Sequence, residues 1–194
     1  MKRLFDFVFS LLGLIILSPF LIIISLIVGL TSSGGVFYKQ ERIGRKGRGF
    51  VLYKFRSMLF GADKKGLLSY GRGGRDNRVT SIGFFLRKYK LDELPQLLNV
   101  IKGDMSFVGP RPEVEKYVSL YSEAQKKVLN VRPGITDPAS IYFRNENDVL
   151  SYSDNPEQYY IEEIMPKKIE MSLNYINCRT FCSDIKVIFK TIFH

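Results

Sequence analysis

Apolar and polar positions are spread unevenly along this chain. From Phe7 to Leu30 run about 24 residues without a charge, FVFSLLGLIILSPFLIIISLIVGL, enough for one helix to cross a bilayer. Beyond it, VFYKQERIGRKGRGFVLYKFRSM reads as two short strands around a basic, glycine-rich loop. Tyr38, Phe50, Leu52, Tyr53 and Phe55 supply the β-formers. Residues 61 to 77, rich in Gly, Lys and Asp, read as a mobile loop, and VTSIGFFLRKYK then resumes an apolar pattern. Helical spacing of Leu94, Leu97, Leu98 and Ile101 predicts a helix that begins near Asp92, carries Pro95 in its first turn and stops at Gly103. Residues 113 to 130 predict one amphipathic helix with Val114, Tyr117, Val118 and Tyr121 on one side, closed by a turn at Arg132-Pro133-Gly134. A polar tract from Asp137 to Asn155 follows, and IEEIMPKKIEMSLNYI opens a closing helical region. The fold class expected is α/β: a mostly helical single domain with a short β-hairpin, residues 1 to 34 as a membrane anchor and residues 35 to 194 as the body.

Two details of the apolar run argue against a simple span. Ser18-Pro19 falls near its middle, where proline removes a helical hydrogen bond and kinks the chain. Basic residues flank both ends, Lys2 and Arg3 before, Lys39, Arg42, Arg45, Lys46 and Arg48 after. A straight span would leave one basic cluster outside, against the positive-inside tendency. A helix bent at Ser18-Pro19 that dips into one leaflet and returns satisfies both, with the Ser18 hydroxyl as a partner for a freed carbonyl. A cleaved signal peptide fits less well, because the run is longer than a usual h-region and Asp6 interrupts its flank. Near the C-terminus, CSDIKVIFKTIFH reads as an amphipathic helix lying in the interface or as a core-packing helix; periodicity does not choose between them.

Charge and cysteine content narrow the chemistry. The chain of 194 residues carries 29 Lys and Arg against 19 Asp and Glu, a net charge of +10. Residues 39 to 90 hold about 15 basic and 3 acidic side chains, so the excess is local. A basic half suits nucleic acid, an anionic membrane surface or a phosphate-rich substrate; nucleic acid has only net charge in its favour, with no recognisable binding module. The sole histidine, His194, argues against a Ser-His-Asp or Cys-His set. Cys178 and Cys182 form neither a zinc site nor a disulfide framework and read as packing residues on one helix face.

The stretch LDELPQLLNVIKGDMSFVGPRP, Leu91 to Pro112, sets Asp92 and Glu93 together at the expected helix start. Capping is the plain reading: an acid there accepts free N–H groups and feels the positive end of the helix dipole. A helix start also suits phosphate, and an ionised Asp there could attack phosphorus or hold Mg2+. Arg111 stands between two prolines, suited to gripping phosphate with its planar fork. Lys54, Arg56, Arg78, Arg87 and Lys88 lie upstream. Carboxylates, fixed cations and a metal are the parts that phosphoryl transfer needs.

The chain resembles the small monotopic phosphoglycosyl transferases, the catalytic core of the bacterial sugar transferase family. The resemblance rests on KRLFD before a segment broken by Ser-Pro, on YKFRSM, DNRVTSIGFFLRK, LDELPQLLNVIKGDMSFVGPRP and VRPGIT. It implies transfer of a phospho-sugar from a UDP-sugar to a polyprenyl phosphate such as undecaprenyl phosphate, with release of UMP. Asp92 would attack the phosphate bonded to the sugar, Glu93 would be its acidic partner, and Mg2+ would bind at Asp92. Lys54, Arg87, Arg111 and Arg132 are the expected substrate-binding cations, and Ser18-Pro19 matches the family's re-entrant membrane break. The implied location is the cytoplasmic face of the bacterial inner membrane, among its lipids, where later enzymes of a glycan pathway would take the product. Where many members continue VRPGIT with Gly-Leu-Ala-Gln, this chain reads Asp137-Pro138-Ala139-Ser140, a tract expected on the sugar or nucleotide side of the pocket. Rivals are a glycosyl transferase releasing UDP, weakened by the lack of a DxD motif, and a non-enzymatic membrane-surface adaptor.

Overall fold

The computed structural model describes residues 2–71 and 76–193. The loop expected over 61 to 77 therefore falls partly, at 72–75, outside the described residues; in its described part, Ala62–Lys65 forms a 3-10 turn. Helix α1 (Lys2–Thr31) holds the whole apolar run with Pro19 inside it, and is long and apolar enough to cross a membrane. Proline lacks an N–H, so the carbonyl of Ile15, one turn back, loses its helical donor. The Ser18 hydroxyl donates to that same oxygen at 2.7 Å. Most of the α1 surface is bare hydrocarbon; its buried positions are Asp6, Ser10, Ile24 and Val28.

Strands β1 (Phe37–Ile43) and β2 (Gly49–Phe55) pair antiparallel from Phe37↔Phe55 to Ile43↔Gly49, forming the hairpin that the β-formers predict. Alternation turns Leu52 and Lys54 to one face: Leu52 packs with Val100 and Met105, and Lys54 reaches Glu93. Helix α2 (Ser81–Lys88) starts at Thr80, whose hydroxyl accepts from the Gly83 N–H at 3.0 Å. Gly83 is required by contact, since a Cβ there would lie 1.9 Å from the Ser57 carbonyl oxygen. Helix α3 (Gln96–Lys102) ends at Gly103, which takes the left-handed conformation (φ 93) that stops a helix. Strands β3 (Ser106–Val108) and β4 (Gly134–Thr136) pair in parallel. The sequence offers only a turn at Arg132-Pro133-Gly134, because three residues are too few to display alternation.

The remaining helices complete the body. They are α4 (Glu115–Val118), α5 (Pro138–Tyr142), α6 (Glu146–Ser151), α7 (Pro156–Tyr159), α8 (Met165–Cys178) and α9 (Phe181–Phe193), with a π-turn over Tyr160–Ile164 leading into α8. The single helix expected over 113 to 130 is broken into α4 and a 3-10 stretch, Gln125–Asn130. A reciprocal cap starts the second piece: the Gln125 amide oxygen accepts from the Ser122 N–H at 2.9 Å, and the Ser122 hydroxyl accepts from the Gln125 N–H at 3.3 Å. Even so, Val114, Tyr117, Tyr121 and Val128 share one cluster with Tyr160, Ile164 and Ile169. The two cysteines are also not as expected. Both are free and exposed, and they lie on α8 and α9 respectively. The chain is extended at Arg179, and reciprocal bonds between Thr180 and Ser183 start α9. α9 turns Asp184 and Val187 inward and leaves Phe189, Ile192 and Phe193 exposed.

Both ends of α1 join this same body. At its start, Lys2 pairs with Asp184 of α9 and donates to the Val108 carbonyl at 2.9 Å. Arg3 donates to the Val100 and Ile101 carbonyls at the end of α3, where a cation also opposes the negative end of the helix dipole. Asp6 accepts from the Phe107 N–H at 3.3 Å, and Phe5 meets Phe107 and Phe181 edge-on. At its other end, Ile24 and Val28 pack with Phe55 and Leu86. The boundary expected after residue 34 falls in the turn between α1 and β1.

Asn99 of α3 joins the helix to the hairpin. Fully buried, it accepts from the Tyr53 N–H at 3.1 Å and donates to the Val51 carbonyl at 2.7 Å, serving the free edge of β2 as another strand would. Asn99→Ala strands both groups and is expected to cost about 2–4 kcal/mol. Chemical unfolding of the detergent-solubilised protein measures it; a loss below about 0.5 kcal/mol would mean that water serves the edge equally well.

Candidate active site

The acidic pair sits in a turn rather than at the start of α3. α2 ends at Tyr89, and Lys90 takes a left-handed conformation (φ 57) that reverses the chain. Leu91–Glu93 then form a 3-10 turn, and Pro95 leads into α3. The expected helix start near Asp92 is therefore displaced to Gln96, and Asp92 caps no N–H group. With three residues per 3-10 turn, neighbouring side chains diverge by about 120°. Asp92 and Glu93 consequently face different surroundings.

Glu93 is saturated. One of its oxygens accepts from Lys54 Nζ at 2.7 Å and from an Arg111 terminal nitrogen at 2.6 Å, and the other faces Arg111 at 3.4 Å. Burial alone would raise its pKa, but Arg111 and Lys54 outweigh burial and hold the carboxyl well below the ordinary glutamate range. Burial lowers Lys54 and Glu93 opposes that shift, while Glu93 raises Arg111. Arg111 is fixed from behind as well: its backbone N–H donates to Asp137 at 3.1 Å. Asp137 is buried and also accepts from the Ser140 N–H at 2.5 Å and the Ser172 hydroxyl at 3.3 Å.

Asp92 is the opposite case. It is 7% exposed, and its Oδ1 has no hydrogen-bond partner. Burial pushes its carboxyl above the ordinary aspartate range; Lys54 pulls it down, Glu93 pushes it up, and Arg87 and Lys90 pull it down further. It lines a cavity of about 270 Å³ together with Lys54, Arg56, Arg78, Arg87, Lys90 and Arg111. Arg87 reaches this wall because Gly83 lets α2 lie directly on the Ser57 backbone. Such a cavity can take a polyanion and set the Asp92 carboxylate against it.

Among the expected site residues, Asp92, Glu93, Lys54, Arg87 and Arg111 come together here. Arg132 does not line the cavity; its Nε donates to the Gly103 carbonyl at 2.8 Å, closing the end of α3 beside Arg3. Its place next to a helix end, rather than its charge, decides that role. Ser18 and Pro19 stand in α1, apart from the cavity walls. Lys90, Asn99 and Asp137 escape the sequence reading as site residues. Lys90 is signalled only by its closeness to Asp92, Asp137 by the departure from the family pattern, and Asn99 by nothing. Among the described residues, no group of three or more His, Cys, Asp or Glu side chains could enclose a metal. A hard cation held by one carboxylate and by substrate phosphates needs no such group, and the unpartnered Asp92 Oδ1 is a fitting ligand for it.

Removing the charge of Glu93 leaves two facing cations with reduced compensation. Glu93→Gln is expected to cost about 2–4 kcal/mol, discounted because Arg111 keeps 33% of its side chain exposed. With its folded pKa depressed, the contribution of Glu93 is complete above its ordinary value of 4.5 and is lost as pH falls from there towards the folded value. Unfolding of both proteins at neutral pH and at pH below 4.5 tests this, since the gap between them must narrow in acid.

Known proteins match this chain along most of its length. The family model for bacterial sugar transferases matches residues 1–194. The exopolysaccharide production protein ExoY of Sinorhizobium fredii is 37% identical over 98% of this chain and 83% of its own length. The sugar transferase EpsL of Bacillus subtilis is 38% identical, covering 99% of this chain and 85% of that protein. The UDP-glucose:undecaprenyl-phosphate glucose-1-phosphate transferase of Escherichia coli is 38% identical over 100% of this chain, which spans 39% of that longer protein. With a match that runs the full length of the sequence, this chain belongs to the bacterial sugar transferase family.

Proposed function

We propose that this protein transfers a phospho-sugar from a UDP-sugar to a polyprenyl phosphate, with Asp92 as the nucleophile and UMP as the first product. The observation that carries this reading is the contrast within the acidic pair. Glu93 is occupied by Lys54 and Arg111, whereas Asp92 Oδ1 is buried, unpartnered and surrounded by cations. An Asp92 oxygen bonds to the phosphorus that carries the sugar, and the bond from that phosphorus to the oxygen of UMP breaks. A phosphate oxygen of the lipid then attacks the same phosphorus, which frees the Asp92 carboxylate and leaves a lipid-diphosphate sugar. The two steps balance without a net proton. Lys54, Arg87, Lys90 and Arg111 offset the charge of the phosphates, and Glu93 holds Lys54 and Arg111 in position. Mg2+, bound at Asp92 and the substrate phosphates, would supply further neutralisation at the transferring group. The names of several relatives, glucose-1-phosphate and N-acetylgalactosaminephosphotransferases acting on undecaprenyl phosphate, support the same reaction class.

The location proposed is the cytoplasmic face of the bacterial inner membrane, with α1 entering and leaving by one side. Support comes from both ends of α1 being packed on one body, from the Ser18 hydroxyl serving the carbonyl that Pro19 leaves free, and from basic residues at each flank. The exposed Phe189, Ile192 and Phe193 of α9 suit the lipid interface. Single cysteines placed next to Lys2 and next to Lys39, in a chain with Cys178 and Cys182 replaced, should both be labelled from the cytoplasm only. Labelling of either from outside overturns this arrangement.

The reaction is tested with purified protein, undecaprenyl phosphate, Mg2+ and a panel of UDP-sugars, measuring UMP and UDP separately. UMP release with one donor is expected, falling by at least about a thousandfold in Asp92→Asn. Because the Asp92 carboxyl is raised, turnover should decline on the acid side at a pH above the ordinary aspartate value of 3.8. UDP as the product, or an Asp92→Asn protein that retains turnover, would refute the assignment.

A further inference from the structure

The cavity around Asp92 carries many charged side chains, yet two of its wall residues are leucines that remain substantially open. Leu59 is 56% exposed and Leu67 is 42% exposed, and both line the cavity with Asp92 and Arg87. A diphosphate and a sugar offer little hydrocarbon for such a rim and a uracil ring offers only its flat faces; a lipid phosphate offers a whole chain that starts at its anionic head. We propose that Leu59 and Leu67 bind the first isoprene units of the acceptor lipid and lead its tail from the cavity to α1. This rests on the phosphoglycosyl transfer proposed above.

The rim is built rather than loose. The Leu59 N–H donates to the Arg78 carbonyl at 2.8 Å, and the Leu59 carbonyl accepts from the Ala62 N–H at 3.1 Å. The Arg78 guanidinium donates to the carbonyls on either side of Leu67, Gly66 at 2.8 Å and Leu68 at 2.5 Å, and is itself neutralised by Asp76. Outward from Leu59 the apolar surface continues. Phe60 is 73% exposed and its ring lies against Gly34, three residues beyond the end of α1, whose last turn carries Leu30 at 88% exposure. Arg56, another wall residue of the cavity, holds its guanidinium 5.8 Å from the Phe60 ring. A cation beside an apolar path that ends at a membrane helix matches an amphiphile with a phosphate head. The bilayer itself could cover Phe60, but Leu59 and Leu67 face the chamber that holds the nucleophile.

Leu59→Ser combined with Leu67→Ser, in the full chain in lipid nanodiscs, separates these occupants. The KM for undecaprenyl phosphate should rise about tenfold or more while the KM for the UDP-sugar donor stays within about twofold, and membrane association should be retained. Leu59→Met with Leu67→Met, which keeps hydrocarbon at both places, should restore the acceptor KM. An unchanged acceptor KM, or a parallel rise in both KM values, overturns the proposal. Loss of the protein from the membrane fraction would assign the two leucines to the bilayer instead. A wild-type protein that makes no lipid-linked product from any donor shows a different failure, that of the reaction itself, and takes this binding site down with it.

Discussion

The contact between Glu93 and its two cations is the constraint on which the site depends. Lys54 comes from β2, Arg111 from the turn after β3, and Glu93 from the link between α2 and α3. Three separate parts of the chain are thus brought to one carboxylate. Their own supports are buried: Asn99 docks α3 on β2, and Asp137 holds the Arg111 backbone. A buried ion pair of this kind contributes little net stability, because desolvation offsets most of the attraction. Its value is positional. It fixes two cations on one acid and leaves the neighbouring acid without a hydrogen-bond partner on Oδ1.

Helix α1 obeys a similar economy of polar groups. Pro19 frees one carbonyl in the middle of an apolar helix, and the adjacent serine serves it, so no water is needed there. Side-chain polar contacts from α1 to the rest of the body gather at its start, where Lys2, Arg3 and Asp6 face β3, α3 and α9. α1 is consequently an element of the folded body, since Ile24 and Val28 share a core with Phe55, the residue after Lys54.

Much of this was legible in the sequence where a single segment carried its own signal. The hairpin showed in its β-formers, α1 in its unbroken hydrocarbon, and the Gly103 stop in a residue able to take positive φ. The cations around Asp92 were legible as a group because phosphate chemistry asks for them. What stayed hidden depends on long-range contact. β3 and β4 have three residues each and exist only through one another. Arg132 looked like a phosphate ligand and turned out to close a helix, since charge alone does not say which oxygen a guanidinium will find. The break between α4 and Gln125 came from side-chain caps that compete with helical hydrogen bonding, which a hydrophobic pattern does not register.

The tight turn at Leu91–Glu93 fixes more than the presence of two acids; it fixes their spelling. The longer arm stands at 93, where it must reach across to two cations, and the shorter one at 92, close to the backbone. Exchanging the letters preserves charge, composition and net hydropathy, yet gives the far cations an arm one methylene too short and crowds the chamber with an arm one methylene too long. The fold therefore constrains side-chain length at this pair, and the two acids that look interchangeable in any count of charge are not synonyms in it.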